Sequence, residues 1–325
     1  MITKCIEEDQ YQKWNNFVEN SPQGSIYSKT WYLDAFDANY KIFVVTEASN
    51  IIAGIIITKN EVGLYTNPLL SKYLGVMYHE FKGNKYNVES KKRKIINLLI
   101  PEIKKYKSFY FSFHPSFQQY LPFFWNGYKN TIRYTYWIDL LNKSSDEIFN
   151  NCYSNLKNEI KYGQKQKFEY HKNIDFDVFY EILNKSFKRQ GSNAPWSHDK
   201  IKNYYYRLRN RHVFELNGIA NKAGEIMAVN GILYDRQVSS LIFNGIDIEK
   251  IERGSNEILI YETIKSKIGI SHFFDFEGSM IYPIEKFYRK FGGECIEYYV
   301  IYRDNLCNFV YPKFREMYKN LKYNK

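Results

Sequence analysis

The chain has 325 residues, 44% hydrophobic and 25% charged, with 31 Tyr and 24 Phe. That length suits two domains of ordinary size, and that much apolar material excludes wholesale disorder. The formal net charge of +11 either steers a polyanion, such as a nucleotide, tRNA or an acidic membrane surface, or simply keeps a lysine-rich surface soluble.

Taken in chain order, residues 10–19 place Tyr11, Trp14, Phe17 and Val18 on one helical face. A turn over 21–24 leads to a helix over 28–36, with Ser28 positioned to cap it. Strands are predicted over 40–46, 51–58 and 62–65. The run 51–57 is apolar but too short to span a bilayer. The opening residues carry acids and lack the apolar stretch of a secretory signal, so a cytoplasmic location is expected. A helix over 88–106 follows, with a kink or break at Pro101. Then come a strand over 109–113, a short helix to Trp125 stopped by Gly127, and a strand over 128–140.

The second half begins with a basic helix over 146–166. Helices over 176–189 and 200–209 precede strands over 213–220, 226–234 and 238–246. A helix over 255–268, a strand over 273–277, a helix over 283–291 and a strand over 294–302 complete the pattern, with a terminal basic helix over 312–322. The four cysteines (Cys5, Cys152, Cys295, Cys307) are scattered and no His spacing suits a metal. Neither a disulfide framework nor a metal site is expected.

The two halves repeat one order. Strand Phe111–Phe113 precedes a helix ending at Trp125-Asn126-Gly127, and strand Phe274–Phe276 precedes a helix ending at Phe291-Gly292-Gly293. Such self-similarity argues for a duplicated α/β unit. Three stretches carry a family resemblance: Phe274-Asp275-Phe276-Glu277-Gly278-Ser279-Met280 with Ile284–Gly292 after it; Arg189-Gln190-Gly191; and Trp14, Phe17, Gly24–Tyr27 and Trp31-Tyr32 near the start. On these the chain resembles the FemAB-like branch of the GNAT superfamily, which includes peptidoglycan bridge-forming aminoacyltransferases and related envelope acetyltransferases. The resemblance implies an α/β (α+β) fold of two tandem GNAT-like domains, with mixed, mostly antiparallel sheets flanked by helices. Residues 1–142 would form a degenerate first domain and 143–325 a second domain carrying the donor site. No sustained heptad run matches the coiled-coil arm of the bridge-forming members, which favours an acetyltransferase.

Within that resemblance, acetyl-CoA or another acyl-CoA is the expected co-substrate, without a metal. Arg253, Gly254, Ser255 and Asn256 would cradle its phosphates at a helix start; the bland alternative is an ordinary helix capped by Ser255. Asp275 and Glu277 alternate with Phe274 and Phe276, so both carboxyls would share a strand face and one would serve as base. Otherwise they form a structural pair bonded to backbone or to Arg289. Asn244 and Tyr261 are candidate donor-side groups. Arg189, Gln190, Trp196 and Tyr234 are candidates for an acceptor that is a small molecule or a nucleotide-linked sugar. For each of these the alternative is packing or a surface loop. His114 stands where the first half would carry an acid. The implied function is acyl transfer to an amine or hydroxyl of an envelope or polysaccharide precursor. The alternatives are an aminoacyl-tRNA-dependent transferase and a non-catalytic polyanion-binding module.

Overall fold

The computed structural model describes residues 1–61, 63–189, 191, 194–278 and 280–303. Gln190, Cys307 and the terminal helix expected over 312–322 lie outside them. The chain divides into two compact units: Met1–Arg133 together with the chain from Glu297, and Tyr134–Ile296. The first division falls inside one continuous strand, before the expected boundary after residue 142. No turn residue interrupts that strand to mark a border.

In the first unit, β1 (Ile2–Ile6) is followed by helices α1 (Tyr11–Glu19) and α2 (Thr30–Ala35). Ser28 does not cap α2. Lys29 holds that position, and the Ser28 carbonyl accepts from the buried Trp14 indole N–H at 2.8 Å. Strands β2 (Asn39–Glu47), β3 (Asn50–Lys59), β4 (Tyr65–Thr66) and β5 (Val76–Tyr78) lead to α3 (Lys85–Ile103). Asn84 caps α3 by accepting the Asn87 amide at 2.9 Å. The helix runs on through Pro101 to Ile103 rather than splitting. β6 (Phe109–Ser112), α4 (Leu121–Trp125) and β7 (Lys129–Asp139) follow. The order is β1-β2-β3-β4-β6, with β5 beside β3.

In the second unit the expected basic helix is two: α5 (Ser145–Asn151), with a Ser144/Glu147 capping box, and α6 (Ser154–Gln166). Cys152 and Tyr153 between them are extended, which breaks the ladder of amide bonds. Then come β8 (Glu169–Lys172), α7 (Phe176–Arg189), α8 (His198–Arg209), β9 (Phe214–Ala220), β10 (Ile226–Tyr234), β11 (Val238–Ile246), α9 (Ser255–Lys265), β12 (Phe273–Asp275), α10 (Tyr282–Arg289) and β13 (Glu294–Tyr302). The sheet order is β7-β12-β11-β10-β9-β8. Among the described residues of this unit only the β11–β12 pair is parallel. One face packs on α5, α6 and α9 through Ile148, Leu156, Ile160, Ile260 and Ile264 with Phe274 and Phe276. On the other, Phe243 meets Phe179 of α7, centroids 5.6 Å apart.

The end of β13 returns to the first unit, where Val300–Tyr302 pair antiparallel with Tyr110–Ser112 of β6. Among the described residues no helix is long and apolar enough to cross a membrane. Nor does any group of three His, Cys, Asp or Glu stand ready to hold a metal. Cys5, Cys152 and Cys295 are free thiols.

Candidate active site

The parallel contact between β11 and β12 lasts three residue pairs, Val238–Ser240 against Phe273–Asp275. β12 then stops while β11 runs on to Ile246, so the strands part. On its other side β11 shifts register against β10, Gly231 facing Phe243 and Ile232 facing Leu241, which leaves Ile242 as a bulge. Beyond the bulge Phe243 and Gly245 face α7, where a Cβ on Gly245 would stand 3.0 Å from the Leu183 Cα. Strand alternation therefore turns Asn244 and Ile246 to the α9 side. Ile246 packs against the Ile258 and Leu259 cluster. The Asn244 side-chain oxygen is buried with no hydrogen-bond partner among the described residues.

β12 ends because Asp275 makes an Asx turn. Its carboxylate accepts the Glu277 amide at 2.7 Å and the Thr135 hydroxyl at 2.5 Å, in full burial. Glu277 and Gly278 then both take left-handed conformations, φ 58 and 62. A Cβ on Gly278 would come within 2.1 Å of the Tyr134 carbonyl, so only glycine fits. Phe274 and Phe276 do pack together, 5.2 Å apart. The two carboxyls, however, do not share a strand face: Asp275 is a buried acceptor and Glu277 is half-buried past the strand end. The Glu277 charge lies near Tyr288, whose phenol is pushed up to about 12 by burial first and that charge second. Arg289 pairs with Glu285 at 3.2 Å, and Glu285 accepts from Tyr136 at 2.5 Å.

A cleft of about 370 Å³ opens at the start of α9, lined by Glu159, Ile246, Ile251, Glu252, Arg253, Gly254, Asn256 and Glu257. Gly254, not Ser255, is the N-cap, in the left-handed region at φ 78. A Cβ there would lie 2.5 Å from the Glu159 carbonyl, so its closeness serves the packing of α9 on α6. The Ser255 hydroxyl donates to the Glu252 carbonyl at 2.7 Å. Arg253 does not point free into the cleft. It donates twice to Glu159, at 2.8 and 3.1 Å, and stacks 5.0 Å from the Tyr162 ring centre. Arg253 holds the Glu159 carboxyl below its ordinary range. Burial pushes the Glu257 carboxyl up, with its own backbone N–H pulling the other way. The Asn256 side-chain oxygen is buried and unpartnered among the described residues. Three carboxylates against one committed guanidinium make this an acidic helix start.

Superposed on solved structures, the chain matches FemX at a TM-score of 0.72, with 12% identity over 95% of this chain and all 100% of that one. The chain has a FemX-like fold. L-PGS from Bacillus licheniformis is also similar (TM-score 0.53, 12% identity, 98% of each chain). So is a tandem GNAT protein from the clavulanic acid biosynthesis pathway (TM-score 0.51, 9% identity, 92% of this chain and 97% of that). No protein-family model and no curated protein matches the sequence.

In this FemX-like fold the remaining candidates are not brought to one place. Arg189 is exposed at the end of α7. Trp196 lies edge-on to Phe243 at 5.3 Å and to Phe187 at 5.7 Å, its indole N–H buried and unpartnered among the described residues. It therefore belongs to the α7 face, opposite Asn244. Tyr234 lies beneath Lys267, whose ammonium is 3.7 Å from the ring centre, and Tyr261 donates to the Ser145 carbonyl at 3.3 Å. His114, in the first unit, is buried and meets the Ser116 hydroxyl at 2.9 Å. Burial lowers it to about 4.

Sequence reasoning missed a buried polar chain in the second unit. Lys267 pairs with Glu215 at 2.7 Å, with side chains 1% and 9% exposed. Asn217 donates to Glu215 and to Asn230, and Asn230 donates to Thr263. Burial pulls the Lys267 ammonium below its ordinary value, and Glu215 resists. The available signal was the alternation of Glu215 and Asn217 within an otherwise apolar strand.

Proposed function

We propose that this chain is an acyltransferase that moves an acyl group to an amine or hydroxyl of a cell-envelope or polysaccharide precursor. The observation that carries the reading is the parting of β11 and β12. Beyond that contact the Asn244 side-chain oxygen is buried and unpartnered among the described residues, and Glu277 follows just past the end of β12. An acyl donor lying beside β11 as an extended arm would offer the Asn244 oxygen the N–H donor it lacks. Glu277 is the better base of the two carboxylates, because Asp275 is engaged in holding the turn. The acceptor attacks the acyl carbon, its proton passes to the carboxylate, and the tetrahedral intermediate collapses by expelling the donor's thiolate or ribose oxygen.

The start of α9 bears on the donor. An acyl-CoA needs an anion cradle there, and the position instead holds Glu252, Glu257 and a neutralised Arg253. This favours the second donor, an aminoacyl-tRNA, whose phosphates would meet the basic surface of a +11 chain rather than this helix. The likeness to FemX, L-PGS and a tandem GNAT protein supports an acyl or aminoacyl chemistry without selecting between them. Calorimetry with acetyl-CoA and with aminoacyl-tRNA, each at two salt concentrations, decides the donor. Steeply salt-dependent tRNA binding without acetyl-CoA binding is expected. Micromolar acetyl-CoA binding that Gly254→Ala abolishes would overturn the choice of donor while keeping the transferase. A non-catalytic module predicts no transfer with either donor.

A further inference from the structure

The outward side of α4 in the first unit is apolar and bare. Leu121, Phe124 and Trp125 are 45%, 60% and 59% exposed. Their spacing puts them on one side of the helix. Pro122 and Phe123 occupy the other side, and Phe123 packs edge-on to Phe113 and Tyr128 at 5.4 and 5.5 Å. The core therefore has its own aromatic residue here, while of the outer three Phe124 reaches the Tyr120 ring with centres 6.3 Å apart. Neighbouring large aromatics left in water are the kind of patch that marks a binding surface.

The rim is cationic. Lys104 donates to the Asn126 side chain at 2.9 Å, which fixes the end of α3 against the end of α4. Lys105 and Lys107 follow it, Lys129 comes just after the Gly127 turn, and all four lysines are exposed. Glu102, beside them, pairs with Lys105 at 2.5 Å. An exposed tryptophan and phenylalanine, with the Lys104 ammonium held at the end of their helix and further exposed lysines close by in the chain, match the layered chemistry of a bilayer surface, where rings enter the headgroup zone and lysines reach lipid phosphates. A second copy would bring a like-charged rim to the same place and be repelled. We propose that this face of α4 docks on an anionic lipid bilayer. The site is independent of the acyl-transfer reading and of its donor.

The test is co-sedimentation of the full chain with phosphatidylcholine vesicles, alone or with about a quarter phosphatidylglycerol. Binding to the anionic vesicles is expected, weakening with salt. The Phe124→Ser, Trp125→Ser double variant should bind at least about tenfold more weakly. Lys104→Glu with Lys107→Glu should weaken binding similarly, and both proteins' folding is checked by circular dichroism. If the aromatic variant melts early, the lysine variant carries the comparison alone. The proposal is overturned if neither vesicle binds, if binding is the same in all variants, or if the aromatic variant instead dissolves a lipid-free dimer.

Discussion

At the residue scale, Asp275 holds a buried turn and Glu277 stands half-buried past it, where the pattern FDFEG led to the expectation of one shared face. Asp275→Ala leaves the Thr135 hydroxyl and the Glu277 amide unpaired in a buried place. It should destabilise the protein by about 2–4 kcal/mol, read from the denaturant midpoint. Asp275→Asn keeps an acceptor and should retain most of that stability together with acyl transfer. Glu277→Gln should lower the transfer rate about a hundredfold or more. Transfer that survives Glu277→Gln removes it as base. His114 gives a pH signature. Its folded value of about 4 lies below the ordinary histidine value, so the folded protein keeps it neutral while the unfolded chain takes up a proton. The stability it preserves is complete above about pH 6.5 and is lost as pH falls toward 4, an effect of about 3 kcal/mol. Melting curves across that window should show the fall, and His114→Gln should reduce it.

At the scale of elements, alternation and helical period were legible wherever one face is buried. The strands β9, β10 and β11 and the helices α7 and α9 stand close to where the sequence placed them, because their apolar residues recur at the right spacing. What escaped depends on side-chain bonds and local torsion. The end of β12 is set by one carboxylate reaching its own backbone, and the Glu277-Gly278 pair was the readable hint of a turn. β5 escaped because it is three residues long, too short to display a period. The partner of Arg253 was hidden for another reason: sequence shows an arginine before a glycine, but not that Glu159, far away in the chain, binds it. The Lys267–Glu215 pair joins β9 to the segment after α9, and it gives a prediction at this scale. Lys267→Met alone strands a buried carboxylate and should lose about 3–5 kcal/mol. Adding Glu215→Leu should recover much of that in the denaturation midpoint. Equal loss in the single and double variants would show that the pair is not the stabilising unit.

At the scale of the whole molecule, the division of the chain matters more than the count of domains. The first unit takes its strand partner for β6 from the far end of the chain. A fragment of residues 1–133 therefore has Tyr110–Ser112 without a neighbour on that side. It should show weaker near-ultraviolet circular dichroism per residue than the full chain and bind more of a hydrophobic dye. A cooperative melt of that fragment would contradict the reading.

The same arrangement sets an order in time on the ribosome. Val300 is translated long after Ser112, and at roughly 5–20 residues per second that interval is on the order of ten to forty seconds. Through it, the apolar edge Phe109-Tyr110-Phe111 waits with open amides, a template for pairing with other nascent chains. Lys104, Lys105 and Lys107 immediately precede that edge, where positive charge discourages such pairing. Slow synthesis should thus favour aggregation of this protein, and chaperones supplied at unchanged temperature should raise the yield of folded chain.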